Sequence, residues 1–269
     1  MKAKVTAITC CLIALALLAG CGGGEDASAW ARKCRDAVAD YVEGGGYLGF
    51  NQETELELST KEGTLRQSIS ADGEIIFPAR QRYEYREKAS SSLKPGEEQE
   101  NSFSYLTLDG GRTAYVMGQA LATQLGVQGW VHYTPPEGQN RYFDYAGLME
   151  RLLSLGEDAA WVGWEEVEGQ KCAHISYAIS GRELMELRLQ ENPALEEQYE
   201  GLDPDEVLGE ITVEVWIAKQ DELPRRVAVR QSSTQGDIST SSRIDIAFRA
   251  YGEEPPMPIE APAVFTEAS

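Results

Sequence analysis

Apolar and polar residues alternate along most of this chain, and the alternation is clearest between residues 211 and 249. In a β-strand successive side chains point to opposite faces, so a period of two predicts strands with one apolar face. Three successive segments have this pattern, with apolar positions at Ile211, Val213, Val215, Ile217, Val227, Val229, Ile244, Ile246 and Phe248. The intervening positions include Glu214, Arg226 and Asp245. We therefore expect a long antiparallel sheet with one dry face and one wet face.

Two further hairpins and two polar stretches are predicted earlier and later in the chain. Residues 54–70 alternate on either side of a Lys-Glu-Gly turn, and residues 103–117 do so around Asp-Gly-Gly. Glycine-containing turns of this length join antiparallel strands. Residues 90–101 are polar and read as a loop, while residues 232–242 are rich in Ser and Thr and read as a long hairpin tip.

Helical spacing of apolar residues occurs in few places. Residues 28–42 carry an apolar stripe at Trp30, Cys34 and Val38. A second helix is predicted over residues 142–155, and a third begins at Ser180, where Ser180 and Glu183 have the spacing of a capping box. Because helices are few, the apolar face of the sheet must be covered by its own curvature, by these helices or by a ligand.

The N-terminus has the features of a secreted lipoprotein. Lys2 and Lys4 precede an apolar run that ends at Leu18. This run is shorter than the roughly 20 residues that a spanning helix needs, and it has the proportions of a signal peptide. The sequence Leu-Ala-Gly-Cys that follows, ending at Cys21, resembles the bacterial lipobox, in which the cysteine receives lipid after cleavage. An ordinary signal peptide or an uncut anchor is the alternative.

This interpretation divides the chain into three parts. Residues 1–20 are expected to form the signal peptide, residues 21–27 the lipidated cysteine with a glycine-rich tether, and residues 28–269 a single domain. Two or more lipid chains on Cys21 would hold the protein firmly at a membrane, at about 0.8 kcal/mol per buried CH₂. The expected location is therefore the cell envelope, outside the cytoplasm. The sequence does not identify which membrane.

The charge and the cysteines limit the partners. The chain has a net charge of −20, which argues against nucleic acid and against electrostatic docking to anionic lipid. Of five cysteines, Cys34 and Cys172 would remain unmodified in an oxidising compartment. They could form a disulfide or stay as two buried thiols. Cys172 is in phase with the polar face of its strand, which argues against the bond unless a bulge reverses it.

The chain carries few groups that suggest catalysis. Its two histidines, His132 and His174, lie far apart and without partners at metal-ligand spacing, so no metal and no cofactor is expected. The motifs of zinc proteases, serine hydrolases and P-loop enzymes are missing from the sequence. Acidic residues such as Glu165 and Glu166 are so numerous that no pair stands out. We therefore expect no enzyme, with a hydrolase that uses two carboxylates as a remaining alternative.

The last fifth of the chain resembles a known family. The segments ITVEVWIAKQDELPRRVAV and IDIAFRAYGEEPPMPIEAP are similar to the late strands of the LolA/LppX superfamily of lipid-carrier lipoproteins. The matching positions are Val213, Val215, Trp216, Ile217, Leu223, Pro224, Arg226, Phe248, Tyr251, Gly252, Ile259, Ala261 and Pro262. Ala218 and Lys219 stand where an Asp is common. A weaker similarity continues through YVMGQALATQLGVQGWVHY.

The resemblance implies an α+β fold in which a strongly curved antiparallel sheet forms an incomplete barrel. Helices cover its concave face, and the apolar hollow holds acyl chains. We expect a membrane-anchored lipoprotein that binds a lipid or another hydrophobic molecule, for transport or presentation. Val215, Val229, Ile246 and Phe248 are the expected ligand contacts. The alternative is an interaction module with a packed core that docks to an envelope protein and binds no lipid.

Overall fold

The computed structural model describes residues 25–118, 129–134, 143–191, 201, 203–252, 255 and 257–267 of the 269-residue chain. The strands of this part are β1 (Tyr47–Ser59), β2 (Thr64–Ile76), β3 (Arg80–Ser91), β4 (Glu98–Leu108), β5 (Thr113–Gly118), β6 (Trp130–Tyr133), β7 (Ala160–Val167), β8 (Gln170–Ile179), β9 (Glu210–Ala218), β10 (Pro224–Gln235), β11 (Ile238–Gly252) and β12 (Phe265–Glu267). Its α-helices are α1 (Ala27–Glu43), α2 (Tyr145–Ser154), α3 (Gly181–Glu191) and α4 (Pro204–Leu208). The predicted signal peptide, Cys21 and its glycine tether lie outside the described residues.

All twelve strands belong to one sheet. Its order is β12-β6-β5-β4-β3-β2-β1-β11-β10-β9-β8-β7, and neighbours are antiparallel except for β12 and β6. Strands adjacent in sequence mostly pair with each other, and β1 and β11 join the two ends of the chain in the middle of the sheet. The prediction of a mainly antiparallel β protein with a few helices is confirmed.

The expected strongly curved, incomplete barrel is not found, because the sheet is neither closed nor strongly curled. In the described part of the chain, β12 and β7 are its two edges. Strong local bending of a sheet requires bulges or kinks. The ladder shifts register at Gly49, after Pro224 and near Trp161, and pairing through β1, β2, β3 and β4 is continuous.

Helices α1 and α2 cover part of the apolar face. Helix α1 begins at the N-cap Asp26, whose carboxylate accepts a hydrogen bond from the Ala29 backbone N–H at 3.1 Å. Its predicted apolar stripe is confirmed, since Trp30, Cys34 and Val38 are buried in the main core. Helix α2 begins after Asp144 in the same way, with a 2.9 Å bond from the Gly147 N–H.

The third predicted helix also begins where the sequence indicates. Helix α3 follows Ser180, and the Ser180 backbone N–H donates to the Glu183 carboxylate at 2.8 Å. The Glu183 N–H in turn donates to the Ser180 hydroxyl at 3.2 Å. This reciprocal pair is the capping box, and it lowers the pKa of Glu183 because hydrogen bonds from Ser180 favour the carboxylate.

The loops in both polar stretches are shorter than predicted. Strand β3 continues to Ser91 and β4 begins at Glu98, while β10 continues to Gln235 and β11 begins at Ile238. Ser233 and Thr240 face each other across β10 and β11, and their hydroxyls are 2.6 Å apart. The backbone ladder holds these tips together, and it needs no apolar side chains to do so.

Candidate functional site

The apolar face contains the four residues expected to bind ligand, and the structure places them among packed side chains. Val215, Ile246 and Phe248 are buried, and Val229 is half-buried against the same core. The Phe248 ring lies edge-to-face on Tyr145 of α2, with centroids 5.2 Å apart. In this arrangement the side chains contact protein, and their contact with an acyl chain remains a prediction.

Further along the same face, aromatic side chains form a surface that is only partly covered. Tyr83 lies opposite Tyr105, and Tyr85 lies opposite Phe103, on β3 and β4. The first pair stacks with centroids 5.1 Å apart, and the second pair is tilted at 6.1 Å. We call these four residues the aromatic panel. Tyr105 is buried, whereas the other three are half-buried.

The apolar face continues from the panel to the ends of β1 and β2. Leu58 and Leu65 are directly opposite each other there, and Leu56 lies one step nearer the panel. Their exposed fractions are 37%, 46% and 37%, respectively. We call these three residues the apolar tip. Between panel and tip, Gln67 donates to Glu87 on the same face, so a polar pair separates the two apolar surfaces.

Glycines inside the strands allow aromatic rings to lie flat on the sheet. A Cβ added to Gly73 would collide with the Phe50 ring, and one added to Gly118 would lie 2.7 Å from Phe103 Cδ1. Glycine in a strand interior often marks such a close approach. The sequence analysis did not use this signal, although both glycines fall in phase with the apolar face.

Two polar residues are buried beside the panel. Gln81 and Thr107 are direct partners on β3 and β4, and both are fully buried. The Gln81 side-chain oxygen accepts a hydrogen bond from the Phe143 backbone N–H at 3.1 Å. Among the described residues, neither Gln81 Nε2 nor Thr107 Oγ1 has a hydrogen-bond partner. We call Gln81 and Thr107 the buried polar pair. The alternation could have revealed them, since they occupy apolar phases of their strands.

The opposite face of the sheet is polar and contains a wide groove of about 860 Å³ near the strand tips. Its lining alternates in sign, and the charged residues are Glu55, Glu57, Arg66, Lys88, Glu98, Arg230 and Arg243. Several of them pair with neighbours, as Arg66 does with Glu57 at 2.9 Å. Most of the described lining of this groove is charged or carries hydroxyl groups, with Leu56 as a large apolar residue, so the groove does not suit an acyl chain.

His174 lies on this polar face between carboxylates, although its Nε2, 3.5 Å from Glu214, has no hydrogen-bond partner in the described part of the chain. Its Nδ1 is 2.9 Å from Glu165, and its ring stacks on Trp216 with centroids 4.2 Å apart. Hydrogen bonds from the Trp216 indole and from His174 lower the pKa of Glu165. A lowered pKa keeps this carboxyl ionised, which is unfavourable for a general acid. His132 is on a different strand, where its Nδ1 lies 2.6 Å from Glu267.

Cys34 and Cys172 are free thiols in this structure. Cys34 belongs to the core between α1 and the apolar face, whereas Cys172 packs with Trp216 and Ala228 on the polar face. The sheet therefore separates them, in agreement with the phase of Cys172. Burial raises the pKa of both thiols, so neither is a ready thiolate.

Neither a metal centre nor a membrane-spanning helix is found in the described ranges. Among those residues, His, Cys, Asp and Glu side chains do not form a group of three that could hold a metal ion. None of the helices described is both long enough and apolar enough to cross a membrane.

No protein-family model and no curated protein matches the chain. Among solved structures, it is similar over most of its length to LprF from Mycobacterium bovis, with 14% identity, a TM-score of 0.43, and coverage of 87% of this chain and 98% of that one. LppX from Mycobacterium tuberculosis gives 15% identity, a TM-score of 0.39, and coverage of 86% and 98%.

A third similar structure is a domain from Vibrio parahaemolyticus described as a putative outer membrane lipoprotein-sorting protein. It is 8% identical, with a TM-score of 0.26, and the alignment covers 85% of this chain and 95% of that one. The resemblance predicted from the late strands is thus found again among solved structures. At these identities and TM-scores no residue role is transferred to this chain.

Proposed function

We propose that this chain is an envelope lipoprotein, anchored through a lipidated Cys21, that binds the acyl part of a lipid or a similar hydrophobic molecule along the apolar face of its sheet. Residues 1–20 are the signal peptide in this proposal, residues 21–27 the tether, and residues 28–269 the binding domain. The observation that carries it is the aromatic panel, where Tyr83, Tyr85 and Phe103 are only half-buried on a face whose other half is packed core.

The energetics favour such a ligand. Burial of apolar surface gives about 0.8 kcal/mol per CH₂, so a chain of about sixteen carbons supplies on the order of 10 kcal/mol before ordering costs. Aromatic rings contribute large contact areas with little rotamer entropy to lose. The half-buried rings of the panel would become fully buried by such a chain.

Site-specific photocrosslinking tests this proposal on the full-length protein in membranes. Tyr85 is replaced by benzoylphenylalanine, and the matched control carries the same replacement at Arg86. Arg86 is the next residue of β3 and points to the polar face, where its Nη2 lies 4.0 Å from the Glu84 carboxylate. We expect a lipid adduct at position 85 and little at position 86, detected by mass spectrometry of the labelled peptide.

Equal labelling at both positions, or no lipid adduct at position 85, would contradict the proposal. The interaction module would then be favoured. A specific observation supports that second candidate, namely that Val215, Ile246 and Phe248 are buried within the main core. It predicts that the benzoylphenylalanine at position 85 captures a protein of the envelope or nothing.

A further inference from the structure

The buried polar pair differs from its surroundings on the apolar face. Gln81 is flanked across the ladder by Ile75 on β2, and Thr107 is flanked by Ala114 on β5, both fully buried. The next row toward the tips consists of Phe50, Gly73, Tyr83, Tyr105 and Val116. Two polar side chains therefore sit in apolar surroundings, with Tyr83 and Tyr105 of the panel as their neighbours along the strands.

The orientation of the Gln81 amide is fixed by its one hydrogen bond. The Phe143 N–H donates to the amide oxygen at 3.1 Å, so the oxygen must face Phe143 and the NH₂ group must face away. Gln81 Nε2 is a donor, and the Thr107 hydroxyl can donate as well. Both atoms are buried, and no residue in the described ranges accepts from them. Buried donors without an acceptor are unfavourable, so such groups call for an explanation.

We propose that Gln81 and Thr107 are the polar anchor of the lipid site, where they donate hydrogen bonds to the carbonyl oxygen of an uncharged acyl ester. This inference rests on the proposed function, and it specifies the class of ligand. One carbonyl oxygen has two lone pairs and can accept from both donors. The acyl chain then lies along the aromatic panel. Tyr83 and Tyr105 are the nearest panel residues, since they follow Gln81 and Thr107 on the same face of β3 and β4.

The charges near the pair favour an ester over a free fatty acid. Arg80 and Arg82 flank Gln81 in sequence but point to the other face, where Arg80 Nη1 donates to the Ile259 carbonyl at 3.3 Å and Arg82 pairs with Glu74. The cross-strand neighbours of the pair are uncharged. A carboxylate bound at Gln81 would be an unpaired buried charge, whereas an ester carbonyl requires only the two donors.

The pair is enclosed in this structure, so an ester reaches it from the interior, by displacing apolar side chains packed beside it. Phe143 is the natural element to shift, since it is half-buried and its ring packs on Phe50 with centroids 5.0 Å apart. Its backbone bond to Gln81 can persist while the ring turns. Side-chain rearrangement of this size is common when a ligand binds.

The test uses full-length protein in detergent and three chain-matched photoreactive probes, namely a C16 alkane, a C16 fatty acid and its methyl ester. Intact mass spectrometry measures the labelled fraction. We expect wild type to label with the ester about tenfold more than with the alkane, a preference of the size given by one or two hydrogen bonds. The fatty acid at neutral pH should label less than the ester.

Two variants remove the anchor without changing side-chain volume greatly. Thr107→Val removes the hydroxyl, and Gln81→Met removes the amide. Because one donor remains in each variant, the ester preference should fall from about tenfold to about threefold while alkane labelling is retained. The matched control is Thr54→Val on β1, because Thr54 is buried on the same face but its hydroxyl already accepts from Gln52 Nε2 at 3.1 Å. It should keep the wild-type preference.

The outcomes separate the anchor from the lipid site itself. Equal labelling of wild type by ester and alkane, or an undiminished ester preference in both anchor variants, overturns the anchor and leaves the lipid site standing. Absence of labelling by all three probes overturns the lipid site and the anchor together. If one variant fails to fold, by thermal unfolding, the other decides.

Discussion

Strands β9 and β2 present apolar residues to the same face of one sheet, yet their surroundings differ. Along β9, Ile211, Val213, Val215 and Ile217 are all buried from one end of the strand to the other. Along β2, exposure rises from Ile75, which is fully buried, to Leu65 at 46%. The alternation therefore determines on which face of the sheet a side chain lies. The neighbouring elements determine whether that part of the face is buried or accessible.

The difference follows from what packs on each strand. Over β8, β9 and β11 lie α1 and α2, and Tyr177 of β8 donates its hydroxyl to the Leu152 carbonyl of α2 at 2.6 Å. Over β3 and β4, by contrast, half-buried aromatic rings pack on one another. We expect the first region to determine stability and the second to determine ligand binding. Substitutions in the two regions test this separation.

The largest effect is expected from Phe248→Ala in the covered region. This change removes a fully buried ring that packs on Tyr145 and should lower the free energy of unfolding by about 3–5 kcal/mol. The counterpart is Tyr85→Ala, where a half-buried ring is removed, and it should cost about 1–2 kcal/mol. Urea unfolding followed by tryptophan fluorescence measures both. Equal losses would show that the two regions are packed alike.

A smaller effect is expected from Gly73→Ala, at the boundary between the two regions. The added Cβ collides with the Phe50 ring, which must move away from the sheet. Overpacking of this kind costs about 1–3 kcal/mol. Phe50→Leu in the same chain should recover part of the loss, since the smaller side chain leaves space for the added methyl group. A double variant no more stable than Gly73→Ala would mean that the close contact is not the cause.

The next prediction concerns the polar face behind the covered strands. Burial alone would raise the pKa of Asp245, but the hydrogen bonds and charge of Arg226 outweigh it and lower the pKa. A group with a lowered folded-state pKa stabilises the fold above its ordinary pKa of about 4 and ceases to do so as the pH falls through the folded value. Asp245→Asn should therefore lower the free energy of unfolding by about 1 kcal/mol at pH 7. The variant should also lose less stability than wild type between about pH 4 and pH 2. Urea unfolding across this pH range measures both effects.

The control for this pH effect is Asp237→Asn, in the exposed turn between β10 and β11. Asp237 pairs with Lys61, but both side chains are exposed, so Asp237→Asn should change the pH profile of the unfolding free energy less than Asp245→Asn does. If Asp245→Asn and Asp237→Asn give the same profile as wild type, the pairing of Arg226 with Asp245 does not contribute to acid stability.

Much of the fold could be predicted from local patterns, and particular residues show why. The stripe of Trp30, Cys34 and Val38 identified α1, and the Ser180 and Glu183 spacing located the start of α3, because these signals act within a few turns of one helix. The continuation of β10 and β11 through residues 232–242 was missed, since backbone pairing of polar tips leaves no apolar pattern.

The shape of the sheet and the accessible part of its face could not be predicted in the same way. Val215 and Leu65 are both apolar and lie on the same face of the sheet. Only the position of the helices makes Val215 buried and Leu65 exposed. The curvature of the sheet likewise depends on bulges, and a bulge is defined by how a strand pairs with its partner. Gln81 and Thr107, in contrast, were visible in principle, because each is polar at an apolar phase of its own strand, two residues from an aromatic side chain.

The smallest effect on stability, and the sharpest test of the separation, is expected from Leu65→Gln at the apolar tip. Leu65 is 46% exposed, so the change should alter the free energy of unfolding by no more than about 0.5 kcal/mol. If the accessible face binds the acyl chain as far as the tip, the variant should still reduce the lipid adduct formed by benzoylphenylalanine at position 85 in membranes. The control is Met117→Gln, because Met117 is 37% exposed but lies opposite Ser104, on the polar face of β5. Equal adduct yields in both variants would confine the ligand to the aromatic panel, because the tip would then contribute neither to stability nor to binding.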